Sequence, residues 1–199
     1  MKRLLKHLLW IVPSLMVVGI VSLVVYAATT RSADARYHSA LSKTLQVSSS
    51  SFQHEQEMPI DFSCKGRSVA PNIQWSGAPE GTRSFALVTM DWDAPSPSLR
   101  LFSVVHWVLY NIPASMNQIP QDSNSTILAR RNIASGLNIA RQPGYMGPCP
   151  PLGTHRYEFR AYALDVDQLQ PGSNDKTGLM KAMEGHILAY GELVGLKGP

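Results

Sequence analysis

Phe85-Ala86-Leu87-Val88-Thr89-Met90-Asp91-Trp92-Asp93-Ala94-Pro95-Ser96 sets the architecture of this chain. Phe85–Met90 is almost wholly apolar, which predicts a central strand covered on both faces. Asp91 ends that run, and Asp93 leads into the turn Asp93-Ala94-Pro95-Ser96-Pro97. Working outward, Phe102 to Ile112 is a second long β-prone run, with Val104–Val108 again nearly all apolar around His106. Shorter runs follow the same pattern at Leu45–Ser48, Ile60–Ser63, Asn72–Trp75 and Arg156–Leu164, separated by turns such as Gly77-Ala78-Pro79-Glu80-Gly81. Closely spaced strands with this Pro/Gly punctuation predict a mainly antiparallel β architecture. One helical pattern comes late, from Thr177 to Tyr190, and Glu192–Leu196 reads as a short final strand.

The N-terminus is a separate matter. Met1–His7 is basic, and Leu8 to Tyr26 is an uncharged, largely apolar run. A run of roughly 18 such residues is enough to span a bilayer, and the basic leader favours a cytoplasmic N-terminus. Val25-Tyr26-Ala27 also fits a signal-peptidase site, although the run exceeds the roughly 7–15 residues of a usual signal core. Residues 1–27 are therefore a signal peptide or a transmembrane anchor. Residues 28–44 form a polar tether and 45–199 the folded domain. On either reading the domain lies outside the cytoplasm. Lys2, Arg3 and Lys6 account for most of the net charge of +4, so the remainder is close to neutral. That balance argues against a nucleic-acid binder, which needs a basic face.

Three segments place ionisable residues at the ends of, or inside, buried runs. Asp91 sits at the buried end of its strand, and Asp93 fits either a ligand wall or a turn cap that accepts backbone N–H bonds. His106 lies among bulky apolar neighbours, so its ring must find a partner, because an unsatisfied polar group costs about 1–3 kcal/mol. It reads as a satisfied core histidine or as a ligand-facing one. His155 and Tyr157 share a strand face, being two residues apart, while Arg156 points the other way. Both His155 and Tyr157 can donate to an oxyanion. An ionised aspartate beside a histidine favours imidazolium, the form an anion site wants.

Gly147-Pro148-Cys149-Pro150-Pro151-Leu152-Gly153 is a stiff loop whose glycines let the backbone approach a ligand, and whose X-Pro bonds could include a cis one. A plain rigid connector is the alternative. Cys64 and Cys149, the only cysteines, either pair in an oxidising compartment or remain two buried thiols.

These segments, with Phe62–Gly66, Pro71–Gly77 and Met183–Gly195, resemble the phosphatidylethanolamine-binding protein family, especially its bacterial branch. The resemblance covers roughly residues 45–196 in consistent order. It implies an antiparallel β-sandwich with a C-terminal helix and a small anion pocket at one end. It also implies that Asp91, His106, His155 and Tyr157 face the ligand, with Asp93, Pro95, Gly147, Pro150 and Pro151 as walls. Trp92 stands where the family usually has proline, which adds a large ring near the expected pocket mouth. For a bacterial relative, the side outside the cytoplasm is the periplasm.

The leading expectation is a binding module for a phosphate-type small molecule or phospholipid head group, held to the membrane or exported, and not an enzyme. The family resemblance also allows an inhibitor or interaction protein that meets a protease or kinase with its pocket rim. A metal-dependent enzyme is the weakest alternative: His106, His155 and an aspartate suit a divalent ion, but tight His spacing and a Gly-x-Ser-x-Gly elbow are absent. No cofactor and no resident metal are expected.

Overall fold

The computed structural model describes residues 2–199, with the side chains of the first helix described from residue 12 onward. Two compact units divide the chain near His38. The first is helix α1, Lys2–Ser39, whose part from Val12 to Ser39 is long and apolar enough to cross a membrane, with a mean hydropathy of 2.1 in its most apolar stretch. Much of the polar segment 28–44 is thus helical.

The second unit holds β1 (Gln46–Ser48), β2 (Gln56–Glu57), β3 (Ile73–Ser76), β4 (Ser84–Ala94), β5 (Phe102–Pro113), β6 (Gln118–Ile119), α2 (Ser125–Ala129), β7 (Ala134–Ser135), β8 (His155–Leu164), α3 (Lys176–Met183) and β9 (Ile187–Lys197). Six strands form one sheet in the order β2-β9-β8-β4-β5-β7, and β1-β3-β6 form a second. Pairing is antiparallel except between β2 and β9. This is the mainly β fold that the family resemblance implies, with β4 at its centre.

Strand alternation divides the packing. Phe85 and Leu87 of β4 face the small sheet, joining Ile73, Trp75 and Ile119 in one core. The Trp75 and Phe85 rings lie 5.2 Å apart between the sheets. Ala86, Val88 and Met90 face the other way, onto Leu179 and Met183 of α3. The large sheet is therefore covered on both faces, as its apolar central strand requires. Each fully buried large side chain, such as Trp107 or Phe159, contributes about 1.5–3 kcal/mol.

Three local readings are corrected. Ile60–Phe62 is a 3-10 turn and not a strand, because the Ser63 hydroxyl and N–H both donate to the Ile60 carbonyl (2.7 and 2.9 Å). Helix α3 stops at Met183, since Gly185 takes φ of 78° and the chain turns into β9, which claims Ile187–Tyr190. Ahead of β1, the Ser42 carbonyl accepts from Tyr190 N–H (2.9 Å), while Leu45 N–H returns to the Tyr190 carbonyl (3.1 Å). The cis peptide lies at Ala94-Pro95, outside the loop where one was entertained.

Candidate functional site

A cavity of about 370 Å³ opens where β4, β5 and β8 meet the loops around Cys64 and Gly147. Asp91, His106, His155 and Tyr157 all line it, as do Pro95, Gly147, Pro150 and Pro151. All four of the polar residues are at most 3 % exposed. The remaining wall is apolar, chiefly Ala94, Phe102, Val104 and Met146.

The sheet geometry explains this convergence. Asp91 lies opposite Tyr157 in the β4–β8 ladder. It continues the Phe85–Leu87 face, so its carboxylate extends the inter-sheet core at the strand end. His106 reaches the same place by a different device. In the β4–β5 ladder Thr89 faces Trp107 but Met90 faces Val105, which leaves His106 as an extra, unpaired residue. Its carbonyl accepts instead from Met146 N–H at 2.9 Å. A bulge of this kind re-aims a side chain.

The buried polar groups are ordered by the following bonds. Asp91 Oδ2 accepts from His155 Nδ1 at 2.8 Å, and Oδ1 accepts from Asp93 N–H at 2.7 Å. His155 Nε2 lies 3.2 Å from the Leu152 carbonyl oxygen. Both nitrogens of His155 therefore face acceptors, and a neutral ring can donate to only one of them. His106 Nδ1 donates to the Met146 carbonyl at 2.7 Å, and Nε2 has no partner among the described residues. The Tyr157 ring meets His106 edge-on at 5.1 Å and stacks on His155 at 6.4 Å.

Burial is the largest influence on His106 and lowers its pKa, against the opposing pull of the Met146 carbonyl and the Asp91 charge. At this position removal from water outweighs the neighbouring carboxylate. Burial, helped by Asp91, also drives the Tyr157 hydroxyl upward, so it stays protonated.

Two expectations change. Asp93 is buried yet does not line the cavity; its Oδ2 accepts from Arg156 N–H at 3.0 Å, and Oδ1 pairs with Arg100 Nε at 3.0 Å. An irregularity between Asp91 and Ala94 breaks the two-residue period that would have kept the two aspartates on one face. Trp92 does not stand at the mouth. It packs on the α3 side of the sheet, beneath Lys176 Nζ at 4.9 Å from its ring.

Cys64 and Cys149 form a disulfide with Cα atoms 5.4 Å apart, and both line the cavity. The bond ties the Cys64 loop to the Gly147 loop, beside a hydrogen bond from Cys64 N–H to the Pro148 carbonyl at 2.9 Å. Gly147 is demanded by this closeness: a Cβ there would stand 2.6 Å from Ser68 Oγ and 2.9 Å from the Phe62 carbonyl oxygen. Sequence reasoning did not place the cysteines, Ser68, Phe102, Val104 or Met146 in the wall.

His186 and His54 serve the framework. His186 Nδ1 pairs with Asp165 at 2.9 Å, and His54 Nδ1 accepts from Val194 N–H at 3.2 Å. No cluster of three or more His, Cys, Asp or Glu arranged for a metal ion occurs among the described residues.

Comparison with known proteins agrees with this architecture. The model of the family described as phosphatidylethanolamine-binding protein matches residues 48–197. A UPF0098 protein of Methanothermobacter thermautotrophicus is 36% identical over 153 residues, covering 76% of this chain and 97% of that protein. One from Chlamydia trachomatis is 38% identical over 152 residues, with coverage of 76% and 97%. Among solved structures, a phosphatidylethanolamine-binding protein homologue from C. trachomatis superposes with a TM-score of 0.69 at 33% identity, covering 79% of this chain and 99% of the other. Escherichia coli YbcL, described as a member of the mammalian PEBP family, gives 0.69 at 28% identity, covering 78% and 99%. With the family model spanning nearly all of the β domain, and relatives matched along nearly their full length, this chain belongs to the phosphatidylethanolamine-binding protein family, in its UPF0098 branch.

Proposed function

We propose that the chain is a binding module, not an enzyme, and that its cavity receives a small oxyanion of the phosphate type, free or as a phospholipid head group. The observation that carries this reading is one cavity lined by the buried Asp91–His155 pair, Tyr157 and His106, whose Nε2 is buried without a partner among the described residues. A buried unpaired polar atom is costly, so a ligand that completes His106 stabilises the site. Tyr157 and Ser68 offer hydroxyl donors, and His155 can turn its Nε2 hydrogen bond from Leu152 to a ligand oxygen. The apolar wall excludes water and strengthens each such bond. Calorimetry with inorganic phosphate at about pH 6, within the histidine range, tests this. Binding that weakens about tenfold or more in Tyr157→Phe and His155→Ala is expected from loss of charge-assisted bonds. No heat of binding, or identical affinity in both variants, sinks the reading.

We place the domain outside the cytoplasm, held or exported by α1. The apolar helix and the oxidised cysteine pair support this, because disulfides persist in oxidising compartments. Thiol titration of the mature protein, unfolded without reductant, should find none; two reactive thiols would argue decisively for a reducing compartment.

A further inference from the structure

His106 is 3 % exposed and forms part of the cavity wall. Its Nδ1 faces the Met146 carbonyl oxygen at 2.7 Å, an acceptor that only a ring N–H satisfies, so the ring hydrogen sits on Nδ1. A neutral ring then presents a lone pair at Nε2, the atom left without a partner.

The ionisable groups around the ring do not fill that need. From β4, Asp91 is an acceptor, with its two oxygens engaged by Asp93 N–H and His155. From β8, His155 is turned to Asp91 and the Leu152 carbonyl, and Tyr157 lies edge-on without a hydrogen bond to Nε2. The loop wall contributes Cys64 and Cys149, which as a disulfide do not titrate. An oxygen of a fully deprotonated anion brought against this lone pair meets repulsion, compounded by the nearby Asp91 carboxylate. An oxygen bearing a hydrogen donates to it.

We propose that the cavity selects its oxyanion by a proton: it takes a phosphate-type group that keeps a P–OH, donated to Nε2 of His106, and discriminates against anions that carry none. His106 is then the specificity-determining residue. This rests on the oxyanion reading of the same cavity and narrows it to free phosphate and phosphomonoesters, because a phosphodiester head group has no P–OH near neutral pH. Burial of His106 acts in the same sense, since it disfavours a ring that would supply the proton itself.

Three probes separate the possibilities by calorimetry on the full chain in detergent micelles. Inorganic phosphate keeps a P–OH at about pH 5 and about pH 8, methyl phosphate loses its own above a second pKa of about 6, and sulfate has none at either pH. Phosphate should bind at both values. Methyl phosphate should bind at the lower pH and weaken about tenfold at the higher, and sulfate should stay about tenfold weaker than phosphate throughout, the scale of one buried hydrogen bond. In His106→Gln the side-chain amide both donates and accepts, so the gap between phosphate and sulfate should close. The wild-type comparison stands without that variant.

Sulfate binding as tightly as phosphate overturns the proposal. Sulfate gaining as much as methyl phosphate on acidification overturns it too, because the proton then resides on the ring. If none of the three binds, the oxyanion reading falls and takes the proposal with it, a result distinct from binding without discrimination.

Discussion

Asp91 holds the interior of the site together by occupying both of its carboxylate oxygens with buried donors, His155 Nδ1 and Asp93 N–H. Its side chain and that of His155 are 5 % and 1 % exposed, so neither has water to fall back on. Removing one partner of such a pair leaves an uncompensated buried group, a loss of about 3–5 kcal/mol. Asp91→Ala should therefore destabilise the domain by about that amount in urea unfolding. Asp91→Asn, which keeps an acceptor oxygen for one of the two donors and turns an amide NH2 toward the other, should lose about 1–3 kcal/mol. An Asp91→Ala variant within about 0.5 kcal/mol of the parent, the range of ordinary surface substitutions, would show that the pair contributes little. Asp93, one turn of the ladder away, is tied instead to Arg100 and Arg156. Two aspartates separated by a single residue thus perform unlike tasks, one within the cavity and one locking the strand end.

At the scale of elements, the long apolar runs were legible and the breaks in their rhythm were not. Phe85–Met90 announced a central strand because nothing in it tolerates water, and β4 is central. The same uniformity hid the bulge at His106, since a strand with no polar alternation carries no mark of where its period slips. By simple alternation His106 and Trp107 belong on opposite faces; the extra residue brings His106 into the cavity and leaves Trp107 in the inter-sheet core. Asp93 and Trp92 were misjudged for a related reason: their positions depend on the irregularity after Asp91 and on the side of the sheet that α3 covers. Strands β2, β6 and β7 and helix α2 have from two to five residues, too few for any period to show. His155 and Tyr157 share one face, as their two-residue spacing implies, because β8 is regular through that region.

For the whole molecule, the cavity is built from two kinds of material. Its floor belongs to the β4–β5–β8 sheet, and one wall is two loops joined by the Cys64–Cys149 bond across a sequence separation of 85 residues. Both cysteines are exposed at the surface, so a mild thiol reductant has access to them. Loss of a native disulfide typically costs about 2–5 kcal/mol. Here the loss should fall on the wall. After reduction, amide hydrogen exchange should quicken in residues 60–68 and 144–153, while β8 and β9, which lie outside the covalent ring, keep their protection. Uniform acceleration across the sheet would show instead that the bond supports the entire fold.

On the export route proposed above, that covalent ring also imposes an order of events, because the domain emerges from residue 45 toward residue 199. Cys64 emerges well before Cys149, and through that interval its thiol has no intramolecular mate. The segment carrying β4 and β5 must follow before the ring can close, and His155 and Tyr157 emerge only after Cys149. A foreign thiol captured by Cys64 in that window would leave the finished sheet with an unfastened rim.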